Sequence, residues 1–514
     1  MTVPWLTLLA ALPAAGALVL MFLRGTAAKQ AAFVTSLVTL ALAVALAVRF
    51  QPGGGMQFAE QVSWISPLGA YYALGLDGIG LTLVLLVAVV TPVVILASWH
   101  DADGGLVDGP AAVPAKYDSR LFFALVLAVE SSALFLFLAT DVFLFYVFFE
   151  VILFPMYFLI GGFGGARRAY AASKFLIFGL LGGFVMLASV IGLYVLSARA
   201  GAPSYLLADL SRLDISTGTG RWLFVGFMFA FAIKAPLVPL HSWLPDAAEE
   251  ASPGAATMMV GVMDKIGTFG MIRFCLQLFP EASRWATPVV ITLAVISILY
   301  GAILAIGTQN LMRFIAFTSI SHFGFIVLGI FAFTSQSLAG STLYMLNHGL
   351  STAGLFLAAG YLIRRRRSAR IDHFGGVAQV APVLAGLVLF AGLSTLSLPG
   401  LSSFVSEFMV LAGTFGRHPA VASVATLGIV LAALYILIMY QRTMTGPVTP
   451  AVQRTMTEVN GRERWAFAPL VLLIVVLGIF PKPLLDVIDP AVTATMQRVG
   501  VTDPEPKVLA EGGR

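Results

Sequence analysis

Apolar runs of about 20 residues, each closed by charges or turn formers, follow one another along the whole chain. The hydrocarbon core of a bilayer is about 30 Å thick, so a run of this length can cross it as a helix. Fourteen runs qualify: residues 4–22, 31–48, 79–99, 121–139, 142–163, 175–196, 222–240, 255–279, 286–307, 314–334, 341–363, 380–398 with its continuation 401–414, 421–440 and 465–479. The pattern predicts an all-α polytopic membrane protein of about 14 transmembrane helices.

Two runs contain breakers. Residues 229–250, FAFAIKAPLVPLHSWLPDAAEE, carry Lys234 in an apolar setting, followed by Pro236, Pro239, His241 and Pro245. Proline removes a backbone donor and strains the preceding turn, which frees carbonyls to meet water or ions. Five runs later LSLPGLSSFVSEF repeats the theme, with Pro399 followed by Glu407. Two inverted five-helix repeats, each with a broken helix, account for that spacing. The expected divisions are 1–119 (helices 1–3), 120–279 (first repeat), 280–445 (second repeat) and 446–514 (last helix and tail).

Composition agrees with the spans. Only 11% of the 514 residues are charged and 59% are hydrophobic, against about 25% charged in a soluble domain. The formal charge of +5 does not imply nucleic acid, because the basic residues lie in loops, where membrane orientation explains them. With both termini outside, the inner loops hold seventeen Lys and Arg, including Arg364–Arg367, and the outer loops hold eleven. That excess follows the positive-inside rule and supports an even number of spans. The N-terminal run has no basic leader and reads as a first transmembrane helix. Cys275 is the one cysteine, too few for an iron–sulfur cluster, a structural zinc site or an internal disulfide. No dinucleotide or Walker motif supports a bound nucleotide.

Candidate chemistry is what remains after the loop charges are set aside. Glu150, Lys234, Lys265 with Asp264 beside it, His322, His348 and Glu407 all fall inside apolar runs. A charge at the bilayer centre costs a few kcal/mol or more (about +2.5–3.5 on insertion scales), so such residues are paired, hydrated or functional. Two locked ion pairs would leave the histidines unexplained. Lysine takes up and releases protons as its surroundings change, whereas arginine stays charged, and histidine titrates near neutral pH. The set suits protons better than sodium, which two lysines repel. His241 is an accessory candidate and reads equally well as an interfacial anchor.

Four segments carry a resemblance: FEVILFPMYFLIG, PLHSWLPDA, GVMDKIGTFG and NLMRFIAFTSISHFGF. In this order they resemble the antiporter-like subunits of respiratory complex I, which are similar to the large subunits of Mrp-type sodium/proton antiporters. The likeness covers about residues 121–440. Members of the family with a long C-terminal lateral helix differ from this chain, and others have lysine where it has Glu407; glutamate there is the M-type residue. The resemblance implies Glu150 as the carboxylate that tunes Lys234, Lys234 as proton acceptor, and Lys265 as central relay. It implies His322 and His348 as a bridge and Glu407 as terminal group. It further implies a bacterial plasma-membrane location, neighbouring L-type and N-type subunits, and FMN, iron–sulfur clusters and quinone held by partner subunits.

Overall fold

The computed structural model describes residues 3–102 and 114–505. Lys507 and Arg514, counted above among the outer basic residues, lie outside the described residues. Each of the fourteen expected runs contains helix. By length and composition, eight helices among the described residues can cross a membrane, or nine if the bent pair Gly461–Ile479 and Lys482–Val499 is one span. Some of the other expected runs form shorter helices, such as Trp5–Leu20 and Pro382–Thr395, whereas run 341–363 lies in the 32-residue helix Ser335–Arg366, which carries many small and polar residues.

Burial separates centre from periphery. Leu311–Phe331 is buried along its whole apolar window, whereas Gly25–Arg49 and Pro419–Met444 are buried along only 28% and 33% of theirs. Ser335–Arg366 is buried from Ser337 to Ile363. It packs against Gly78–Ala97, Thr257–Met263, Pro382–Thr395 and Ser402–Arg417. This long helix is the axis of the molecule. Its last turn carries Arg364, Arg365 and Arg366, where cations favour the negative end of the helix dipole. Arg365 grips Glu463 through two nitrogens, at 3.0 and 2.6 Å.

The chain is mostly helical, and its described residues include one small hairpin. Strands Gln57–Ile65 and Ala70–Leu76 pair antiparallel, with Glu60 opposite Leu74 and Ser63 opposite Tyr71. The hairpin lies wholly between the second and third apolar runs, so a search for runs of membrane-spanning length passes over it. Glu60 accepts from the backbone N–H of Leu6 at 2.7 Å and of Thr7 at 3.1 Å. A carboxylate at these otherwise unpaired donors anchors the first helix. A further helix follows the last apolar run. Lys482–Val499 turns 71° from the last apolar helix and buries Ile488, Val492, Thr495, Met496 and Val499 on one face.

Both breaks occur where the prolines predict them. Thr217–Lys234 stops at Lys234, and the chain resumes as Trp243–Glu250. Freed backbone groups find side-chain partners: Trp243 Nε1 donates to the Ile233 carbonyl at 3.0 Å, and the Val238 N–H donates to Ser297 Oγ at 3.0 Å. The second break separates Pro382–Thr395 from Ser402–Arg417 and passes through Ser397 at φ 61° and Gly400 at φ 92°. The eighth run is not a plain α-helix either. It contains two π-helical stretches, Thr257–Met263 and Met271–Leu276, on either side of Lys265–Gly270.

Candidate functional site

The six candidate residues lie along one file, buried from Lys234 to Glu407 and half-buried at Glu150. At one end Glu150, on Val142–Val151, sits against Gly183 of Arg168–Arg199. A Cβ at Gly183 would come within 1.5 Å of Glu150 Oε1, so glycine there makes the carboxylate's seat. Lys234 is 2% exposed, with Nζ 4.6 Å from the centre of the Phe149 ring. Glu150 and Asp264 are both within electrostatic reach of it. No hydrogen-bonding protein partner reaches Lys234 Nζ or Glu150 Oε1 among the described residues. The expected Glu150–Lys234 pair is therefore a proximity and not a closed salt bridge.

Lys265 forms the centre of the file. Its Nζ donates to the Val260 carbonyl at 2.5 Å and meets His348 Nδ1 at 2.8 Å. Val260 belongs to a π-helical turn, where the longer hydrogen-bond step disturbs the usual ladder. The ring of Phe323 lies 5.1 Å from the same ammonium. The rings of His348 and His322 lie tilted to each other with centroids 5.4 Å apart. His322 Nε2 then meets Tyr435 Oη at 3.0 Å. At the far end Tyr344 Oη donates to Glu407 Oε2 at 2.8 Å, and Ser397 Oγ donates to the same oxygen. The second break thus points a hydroxyl at the last carboxylate. Rings of His322 and Tyr344 are 6.0 Å apart, which closes the interval between the histidines and Glu407.

His241 lies within the first break, buried, with its ring edge-on to Tyr300 at 5.1 Å. Trp243–Glu250, next to it, is held by ion pairs. Asp246 bonds Lys174 at 2.6 Å and Arg313 at 2.6 Å, and Glu249 bonds Arg313 at 2.8 Å. Burial pushes the Asp246 carboxyl up, but Lys174 and Arg313 together outweigh it and hold the group below its ordinary value.

Several residues escaped the sequence. Tyr344 and Tyr435 are ordinary in an apolar run and only geometry brings them to the file. Glu130 is fully buried on Ser119–Leu138, with both carboxylate oxygens lacking hydrogen-bonding protein partners among the described residues. The signal was available, since it interrupts the run LFFALVLAVESSALF as visibly as Glu150 does its own. Arg273, counted above as an outer-loop charge, is instead buried against Asp77 at 2.7 Å. No cluster of metal ligands occurs among the described residues.

Residues 139–433 match the family described as NADH:quinone oxidoreductase/Mrp antiporter, TM. NADH-quinone oxidoreductase subunit M of Mycobacterium tuberculosis is 49% identical, over 98% of this chain and 96% of the relative. The chain belongs to that family. A chain of respiratory complex I from Thermus thermophilus superposes with a TM-score of 0.86 at 32% identity, covering 96% of this chain and all of that one. A chain of the Mrp complex from Dietzia has a TM-score of 0.82 at 22% identity, covering 97% of this chain and all of that one. The Dietzia likeness is one of fold alone. The named M-type relative agrees with the branch that Glu407 indicated. All six candidate residues lie within the matched range.

Proposed function

We propose that the chain conducts protons from the cytoplasm to the outside of a bacterial plasma membrane, as the M-type subunit of an NADH:quinone oxidoreductase. The observation that carries this reading is the run of ionisable groups from half-buried Glu150 through buried Lys234, Lys265, His348 and His322 to buried Glu407. In this reading the chain crosses the membrane fourteen times, with residues 120–279 and 280–445 as inverted repeats. L-type and N-type subunits flank it, while FMN, iron–sulfur clusters and quinone reside in partner subunits and supply the drive.

With Glu150 ionised, Lys234 holds a proton. When that negative charge is neutralised or drawn towards a neighbouring subunit, Lys234 loses its counter-charge and passes the proton on. Lys265, His348 and His322 relay it, and Glu407 delivers it to the far side. Work against 100 mV is about 2.3 kcal/mol per charge. Losing one close charge partner at an effective dielectric constant of about 20 is worth a few kcal/mol, enough to drive the step.

The test is NADH-driven proton pumping in membranes assembled with Lys234→Ala or Glu150→Ala. Both should assemble and pump at a small fraction of the normal rate, and normal pumping in both would sink the proposal. Glu150→Asp should retain part of the activity and Glu150→Gln little, because the charge matters. Equal activity of those two would assign Glu150 a purely structural hydrogen bond. Strict dependence on sodium would favour an antiporter of the Mrp type instead.

A further inference from the structure

Asp264 has no place in the relay just described, yet its position is unusual. It is fully buried, and neither carboxylate oxygen has a hydrogen-bonding protein partner among the described residues. Its neighbour Lys265 does not pair with it directly, since the ammonium is turned towards Val260 and His348. Successive residues on a helix point about 100° apart, so the two side chains leave the segment in different directions.

Packing one turn further along shows which direction Asp264 takes. Residues three and four apart share a helix surface. Gly267, three residues on, lies against the broken helix: a Cβ there would be 2.6 Å from the Ala235 nitrogen and from the Phe231 carbonyl oxygen. Thr268, four residues on, faces the axial helix and meets Met345 Sδ at 2.9 Å. Asp264 therefore lies at the seam between the first break, with Lys234, and the axial helix, with His348. Both Lys234 and Lys265 are within electrostatic reach of it. The π-helical stretch Thr257–Met263 ends at this residue, whose N–H bonds back to the Met259 carbonyl at 3.0 Å.

We infer that Asp264 is a positioning residue for proton transfer, a counter-ion placed between Lys234 and Lys265 that compensates the positive charge on either side as it passes. The proton leaves the Lys234 ammonium and arrives on the Lys265 amine. One N–H bond breaks and one forms, and Asp264 keeps its own protonation state throughout. With Glu150 on the other flank, Lys234 is bracketed by two carboxylates. This inference rests on the proposed proton relay.

The experiment compares Asp264→Asn, Asp264→Leu and Asp264→Glu in the assembled complex, with Lys234→Ala as control. Assembly is read on native gels, electron entry as NADH–ferricyanide activity, and coupling as protons pumped per NADH. Asp264→Asn and Asp264→Leu should assemble and keep electron entry, with pumping reduced about five- to tenfold. Asp264→Glu should restore at least half. Combining Asp264→Asn with Glu150→Asp should give a loss that differs from the product of the single losses, because both carboxylates act on one lysine. Normal pumping in Asp264→Asn and Asp264→Leu, with Lys234→Ala defective, would overturn the inference and leave the relay standing. Failure of Asp264→Glu alongside the other two would also overturn it, by assigning the position a role in shape alone. Normal pumping in Lys234→Ala as well would remove the relay itself.

Discussion

Removing Asp77 should destabilise the protein more than any loop substitution, and the size of the effect can be worked out. Asp77 Oδ1 accepts from Arg273 at 2.7 Å and from the Gly80 N–H at 2.8 Å, so one oxygen serves an ion pair and a helix cap. The two side chains are 10% and 4% exposed. Asp77→Ala leaves the guanidinium buried without its counter-charge, a loss of about 3–5 kcal/mol. It also removes the cap of Gly78–Ala97, typically worth about 1 kcal/mol. Because both bonds use the same atom the two terms overlap, and about 4 kcal/mol is a fair expectation. At 1.4 kcal/mol per factor of ten that is nearly a thousandfold in the folded ratio. Asp77→Asn combined with Arg273→Met should recover most of the loss, since it keeps a capping oxygen and buries no charge. The assay is the amount of assembled complex on native gels, together with the half-life of NADH–ferricyanide activity on heating. Wild-type stability of Asp77→Ala, or a double variant no better than the single one, would refute the reasoning.

Two further outcomes follow from other contacts. Tyr435→Phe removes the hydroxyl that meets His322, a bond worth about 0.5–1.5 kcal/mol net, so pumping should slow roughly two- to tenfold while electron entry is unchanged. Asp246 titrates below its usual range because of Lys174 and Arg313. It therefore contributes stability above the ordinary aspartate value of about 4 that is lost as pH falls through the lowered value. Asp246→Asn should lower the melting temperature at pH 7 and flatten that acid limb, as thermal melts across pH would reveal.

The file's main members were legible because charge in an apolar run is conspicuous and expensive. Lys234, Lys265, Glu150 and Glu407 each interrupt residues that would otherwise bury without penalty, and the prolines marked both breaks. Partners were not legible, because pairing depends on packing between distant segments. Lys265 bonds His348 rather than adjacent Asp264, a choice set by helix rotation and not by spacing along the chain. Tyrosines hide for a different reason, since a phenol suits an apolar run until its hydroxyl meets a partner. Arg273 was misplaced because a charge near the end of a run reads as solvated; only the approach of Asp77, 196 residues away in sequence, shows that it is buried.

Gly183 bears on how the chain tolerates change. It cannot ionise, donate a side-chain hydrogen bond or touch a proton, yet the space above its backbone is occupied by a Glu150 oxygen. A methyl group there overlaps the present position of that oxygen, so the Glu150 carboxylate has to settle elsewhere. The place of one candidate carboxylate thus depends on room left by a helix that contributes none of the six candidate residues. Substitutions that look conservative by polarity are the ones most able to erase it.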